Sequence, residues 1–317
     1  MLNFKYYVLI SVLISLALTV TCFSKTITVN KKGSDGLQTI NEALSIAGSG
    51  DLIKVGPGVY NENLIIDKSI FIHGSGPNFS TINSTINNVN ENVYYNAVNI
   101  TNTGIGIQIT GFTIISNKNA VNVAVNVSNL LIKNCILTGS DHGIYYFYTG
   151  YSTIHIINNT IIDNRMSGIH WILSRGGATQ SIVNVYGNII AYNGKYGINN
   201  SNILKCDYNN VFSNSSANYN GCTQGPNSIS HNPSFIDHDA GNYVLSSKSL
   251  CINKGLIGIS YQDPDGSRND IGAYGGPESA LFWPYPIEGP IVTNLFVTPA
   301  SVPKGEKIKV QFEGRIR

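Results

Sequence analysis

The sequence has little charge, and little of what builds helices or crosses membranes. Lys, Arg, Asp and Glu make up only 12% of its 317 residues and leave a net charge of +2. That balance is too small for a nucleic-acid surface, and no stretch interleaves basic with aromatic residues. Long helical periodicity is missing, while strand formers and Asn, Gly, Ser and Thr are plentiful. Past residue 24 no apolar run is long enough to span a bilayer. Cysteine is sparse, at five. Four lie beyond the leading segment (Cys135, Cys206, Cys222 and Cys251) and allow three complete pairings. Cys206 and Cys222 flank one repeat unit and are the expected pair, whereas Cys135 sits in an apolar phrase and reads as a small core residue.

Residues 1–24 read as a signal peptide. Lys5 supplies the positive end, Tyr6 to Val20 carries no charge, and Cys22-Phe23-Ser24 places small residues suitably for a cut before Lys25. Secretion or display at the cell surface is the expectation, with no stable membrane span after cleavage.

Between residues 111 and 210 the chain repeats one phrase: Gly111-Phe112-Thr113-Ile114, Asn134-Cys135-Ile136-Leu137, Asn159-Thr160-Ile161-Ile162, Asn188-Ile189-Ile190-Ala191 and Asn210-Val211-Phe212-Ser213. Nine residues after each of the first four comes a second phrase, at Ala120-Val121, Gly143-Ile144, Gly168-Ile169 and Gly197-Ile198. Units recur after 23, 25, 29 and 22 residues, an irregular period that predicts a β-solenoid. Each unit holds three short strands, and stacked units pair in parallel with a rise of about 4.8 Å. On that basis residues 50–275 give roughly nine or ten coils. Ile144, Ile169 and Ile198 should point inward with Val121, and the Asn at 134, 159, 188 and 210 should sit at corners and bond one another between coils. Ahead of the repeats, Leu37 to Ala47 carries Ile40, Leu44 and Ala47 on one helical face and predicts a helix covering the open end of the column.

The opening segment also resembles a family. Leu37-Gln38-Thr39-Ile40-Asn41-Glu42-Ala43-Leu44, Gly50-Asp51-Leu52-Ile53-Lys54-Val55 and Gly56-Pro57-Gly58-Val59-Tyr60 with Glu62 resemble the start of pectin lyase-like right-handed parallel β-helix proteins. Asn232-Pro233-Ser234-Phe235-Ile236-Asp237, Leu250-Cys251-Ile252-Asn253 and Asp270-Ile271-Gly272-Ala273-Tyr274-Gly275 resemble the closing coil of bacterial secreted β-helix proteins. The resemblance implies an all-β, right-handed parallel β-helix. It leaves activity open, because that superfamily holds lyases, hydrolases, esterases, epimerases and non-catalytic surface proteins. The Asn-Thr-Asp, Gly-Asp-Asp, Gly-His-Gly and Arg-Ile-Lys set of polygalacturonases is absent. So are the Asp-Phe-x-Phe-Gly box of pectinesterases and the Asp-His box with its arginine of extracellular pectate lyases.

If the three isoleucines face inward, Tyr145, His170 and Asn199 face outward in one stripe, with Asn122 below. The preceding turns add Lys118, Asp141 and His142, Arg165, and Lys195 and Tyr196. Rings and cations in such a row suit a sugar chain bearing carboxylates. The candidate substrate-binding residues are Lys118, His142, Tyr145 and Tyr196. For a uronate lyase, which needs a base and a cation, the candidate catalytic residues are Lys195, Arg165, His170 and Asp141. A hydrolase needs two carboxylates flanking the bond, and Asp141 with Asp163 make an unconvincing pair. The tyrosines at 145, 146, 148 and 151, with Trp171, must divide between core and surface, and an insertion around Ser174-Arg175-Gly176-Gly177 could rim a groove.

Asp263-Pro264-Asp265-Gly266-Ser267-Arg268-Asn269-Asp270 is oxygen-rich and tightly turned. It offers Asp263, Asp265 and Asp270 as ligands for Ca2+, or else an Asx-turn loop with Arg268 paired to one aspartate. The expected domains are the β-helix over 25–280, a Pro-rich linker over 281–291 and an incomplete immunoglobulin-like β-sandwich segment over 292–317. Two functions follow. The first is a secreted, monomeric protein that binds extracellular polysaccharide or surface glycan through its solenoid face. The second is a polysaccharide lyase acting by β-elimination on uronate polymers.

Overall fold

The computed structural model describes residues 25–31, 36–85, 95–101, 105–147, 151–172, 181–200, 204–285, 291–298 and 309–315. The expected signal peptide, Tyr148 and the insertion around 174–177 lie outside them. Three parallel sheets of eight, seven and seven strands run side by side. Each turn of the chain contributes one strand to each sheet in the same order, here termed leading, middle and trailing. The coil containing Ser128–Lys133, Ile136–Thr138 and His142–Phe147 is typical. The result is a parallel β-helix, as the repeats predict, and crossovers of this kind wind right-handed.

Seven complete coils form, topped by the extra leading strand Thr26–Val29, giving a column about 34 Å long. The nine or ten expected coils are an overcount. After Ala217–Asn220 the chain makes only part of a further turn, in which Ile229 bridges in parallel to Asn210, and then stops winding. An antiparallel pair, Phe235–Asp237 with Asn242–Leu245, and the segment that follows it instead pack back along the column. Tyr243, Val244, Ala273 and Tyr274 bury Ile136 and Ile162, while Leu245, Cys251 and Ile271 bury Ile189 and Ala191. The middle strands Thr160–Ile162 and Ile189–Ala191 are consequently buried at every position. This explains their continuous apolar spelling, since a strand covered on both faces has no polar alternation.

Inside the column the trailing strands align Leu64, Val98, Val121, Ile144, Ile169 and Ile198 in one stack. All are essentially buried, each contributing about 1.5–3 kcal/mol relative to exposure. Tyr146 and Trp171 join this interior, their rings stacked at 3.7 Å. The glycine before each isoleucine is a steric requirement. A Cβ on Gly168 would lie 2.7 Å from Ile190 Cγ2, 2.9 Å from the Gly197 carbonyl oxygen and 3.0 Å from Asn193 Nδ2.

Asparagine builds two ladders. In the first, Asn188 Oδ1 accepts from the backbone N and Nδ2 of Asn159, and Asn209 Oδ1 does the same for Asn188, at 2.9–3.0 Å. Asn134 and Asn210, which were expected in it, fall out of register. Ile136 pairs with Thr160 and Ile189 with Asn210, so the repeated Asn is displaced by one residue at each end. Asn134 instead donates to the carbonyls of Ala273 and Gly275, tying the column to the closing segment. The second ladder, Asn164 to Asn193 to Asn214, uses the same geometry one corner later.

The opening residues now have physical roles. Helix α1 (Ile40–Ile46) buries Ile40, Ala43 and Leu44 in the column's core and carries a Thr39/Glu42 capping box. Glu62 accepts from the backbone N of Ile40 and Asn41 at 2.9 and 2.8 Å, and Tyr60 closes its own turn by donating to the Gly56 carbonyl. The expected Cys206–Cys222 bridge is not formed. Both are free thiols wedged against the core, and Cys206 Sγ accepts from Asn209 Nδ2. Within the expected linker, Phe282 and Trp283 are buried and Tyr285 donates to the Leu245 carbonyl. Beyond it, Ile291–Thr298 pairs antiparallel with Lys309–Arg315.

Candidate functional site

The outer face of the trailing sheet carries the expected stripe. Strand pairing aligns Asn99, Asn122, Tyr145, His170, Asn199 and Asn220, one residue per coil. Adjacent members hold each other. Asn122 donates to Asn99 at 2.5 Å, Asn220 donates to Asn199 at 2.7 Å, and Asn199 Nδ2 donates to His170 Nδ1 at 3.1 Å. Tyr145 and His170 stack with centroids 5.1 Å apart and planes 4° from parallel. Their faces are turned toward one another along the column, so what points outward is a row of ring edges and amides rather than open ring faces. Asn99 and Asn220 extend the row beyond its expected ends. Their signal was the same alternation in the strands Val98–Ile100 and Ala217–Asn220.

One edge of the stripe is a stack of turns. Asp141 N donates to the Lys118 carbonyl, Met166 N to Asp141 O and Lys195 N to Met166 O, which puts successive turns directly over one another. This brings Lys118, Asp141, Arg165 and Lys195 together as expected. Arg165 makes three bonds within the stack: Nε donates to Asp141 Oδ1 at 2.8 Å, Nη1 to the Gly139 carbonyl and Nη2 to the Asn117 carbonyl. It staples three turns and cancels the Asp141 charge. Lys118 and Lys195 are exposed. Among the described residues neither forms an ion pair, and Lys195 Nζ lies 5.5 Å over the Tyr196 ring.

Burial weakens both histidines as bases. His142 is buried beside His170, with centroids 4.5 Å apart, and its Nδ1 accepts from Ser167 N. Burial first, and then the repulsion of a charged His170, push His142 down to about 4. His170 is also lowered, by burial and then by Lys195. Asp163 does not pair with Asp141. It sits past its strand in the left-handed region, at φ 54°, and accepts from His238 at 2.9 Å and from Tyr243.

Asp263, Asp265 and Asp270 do not gather as a cation site, and no group of three metal-ligating side chains occurs among the described residues. Both Asp263 oxygens accept backbone amides, from Gly276 at 2.6 Å and Asp270 at 2.8 Å, and Asp270 Oδ1 accepts from Asn253 N. Asp265 Oδ1 accepts from Ser267 N in an Asx-turn, and Arg268 donates to the Gly255 carbonyl rather than to an aspartate. These contacts commit both oxygens of Asp263, and one oxygen each of Asp265 and Asp270, to folding the loop. Asp265 and Asp270 do line a cavity of about 470 Å³ beside Trp283 and Tyr285.

No family model matches the sequence, and no curated protein matches it. Solved structures similar to it include pectate lyase Pel9A, at 13% identity over 80% of this chain and 97% of that chain, with a TM-score of 0.44. Pectin methylesterase PemA from Erwinia chrysanthemi follows, at 14% identity, 68% and 72% coverage, and a TM-score of 0.37. A rhamnogalacturonan lyase shows 12% identity, 68% and 64% coverage, and a TM-score of 0.39. The three stacked parallel sheets decide the architecture. The chain is a parallel β-helix. In this β-helix the stripe and its turn edge are the candidate site, and no described helix is long and apolar enough to cross a membrane.

Proposed function

We propose that this β-helix binds an acidic extracellular polysaccharide lying along the trailing face, with no chemical step. The observation that carries the reading is the unbroken row from Asn99 to Asn220, flanked by Lys118 and Lys195. A row of donors and acceptors repeating once per coil suits a polymer of repeating hydroxylated units. Because Arg165 neutralises Asp141, the two lysines set the sign of the turn edge, which favours carboxylate-bearing sugars. Elimination has less support. The arginine of the stripe already pairs with Asp141 and two backbone carbonyls, and burial lowers both histidines, which weakens them as bases.

Affinity electrophoresis of the full chain through gels holding polygalacturonate, neutral galactan or no polymer tests this. The acidic polymer should retard the protein, Lys118→Ala with Lys195→Ala should restore its mobility, and no unsaturated product should absorb in the ultraviolet. Equal mobility in all three gels would refute the binding reading, and new absorbance would replace it with the lyase.

A further inference from the structure

A second cavity, of about 320 Å³, lies on a different face of the column, between the outer side of the leading sheet and the turn Pro277–Leu281. Its floor comes from three successive coils. Strand pairing sets Phe71 beside Gln108 and aligns His73, Thr110 and Lys133, so His73, Gln108, Thr110 and Lys133 present their side chains together. The roof is Pro277, Ala280, Leu281 and Phe282. It is fixed at both ends: Lys133 pairs with Glu278, and Phe282 packs so tightly on Gly76 that a Cβ there would sit 2.5 Å from Phe282 Cβ and 2.6 Å from its ring carbon Cγ.

The two walls differ in kind. On the floor, His73 Nε2 donates to Gln108 Oε1 at 2.9 Å, which leaves the Gln108 amide hydrogens and the Thr110 hydroxyl without a protein partner among the described residues. Burial holds His73 below its ordinary range, so it is neutral and its Nδ1 is an acceptor. Lys133 is buried and its charge is offset by Glu278. The roof presents aliphatic and aromatic carbon. An anion entering here would meet the Glu278 carboxylate, and a cation would meet the Lys133 ammonium. A wholly apolar molecule would desolvate the Gln108 amide and Thr110 hydroxyl without replacing their hydrogen bonds. A ring with a hydroxylated edge and a C–H face satisfies both walls, and the volume lies at the lower end of the range of small-ligand sites.

We propose that this cavity is a binding site for a neutral saccharide ring, with its hydroxyls on Gln108, Thr110 and His73 and its C–H face under Ala280 and Leu281. It would hold a terminal or branch sugar independently of any polymer on the trailing face. The test is saturation-transfer NMR on the full chain with galactose, arabinose, rhamnose, xylose, glucose, mannose and galacturonate, each alone. At least one neutral sugar should show transfer, and galacturonate should show less. Thr110→Val and Gln108→Leu should each weaken that sugar about fivefold, the worth of one hydrogen bond. Both variants should retain the thermal transition and the mobility of the wild type in polygalacturonate gels. No transfer from any neutral sugar, stronger transfer from galacturonate, or undiminished binding in the two folded variants would each overturn the proposal.

Discussion

Replacing Asn188 with Ala should destabilise the column far more than its single amide suggests. Asn188 Oδ1 is the acceptor for the Asn159 backbone N at 2.9 Å, and its Nδ2 donates to the Ile156 carbonyl at 2.8 Å. Both asparagines are fully buried, so water cannot substitute. Orphaning the Asn159 N–H costs about 1–3 kcal/mol. The void left by the amide adds about 1 kcal/mol at roughly 24 cal/mol per Å³. The expected loss is about 2–4 kcal/mol, or a fall of about 4–16 °C in Tm for a domain of this size. Asn184→Ala is the matched control. Asn184 is only half-buried on the outer leading face, where it bonds His155 at 3.1 Å, and its loss should cost about 1 kcal/mol or less. Urea unfolding followed by circular dichroism measures both. If Asn188→Ala is no less stable than Asn184→Ala, the ladder is not what holds successive coils together.

Two further outcomes follow from the same packing. Gly168→Ala should lose about 1–3 kcal/mol by overpacking, since its Cβ would meet Ile190, the next coil's carbonyl and the second ladder at once; an unchanged denaturation midpoint would contradict this. Asp263 and Asp270 are buried together, and burial above all raises both carboxyls above the usual carboxylate range. The folded state therefore holds more protons than the unfolded chain, and stability present below about pH 4 is lost as pH rises through the raised values. Tm should fall between pH 5 and pH 8, and Asp270→Asn, whose amide cannot ionise, should flatten the fall. A Tm that stays level or rises in the wild type over that range would refute the assignment.

The parts of the fold legible in the sequence were those governed by alternation. Ile144, Ile169 and Ile198 point inward and Tyr145, His170 and Asn199 outward because the period of two admits no other arrangement once one face is buried. What alternation does not encode is long-range closure. Phe235–Asp237 and Asn242–Leu245 look like further coil strands, and only the doubly apolar middle strands hint that something must cover them. Hydrogen-bond register was likewise hidden, since Asn134 and Asn159 look equivalent until pairing sets Ile136 against Thr160. The sequence does carry a signal for the ladders. Asn159 and Asn164, Asn188 and Asn193, and Asn209 and Asn214 are each five residues apart, which marks the two ladders. At the site, the positions of Arg165 and Asp141 were legible, but the three contacts that bind the guanidinium were not, because two are to carbonyls of neighbouring coils. The loop 263–270 shows the same limit: backbone amides, invisible in a side-chain pattern, occupy both oxygens of Asp263.

The trailing face as a polysaccharide site is tested most directly by calorimetric titration of the full chain with oligogalacturonate, at low and high salt, against the charge-reversed double variant Lys118→Glu, Lys195→Glu. Saturable binding that weakens with salt and disappears in the folded double variant is the predicted result. Binding of equal strength in both proteins, or none in the wild type at low salt, would contradict the assignment.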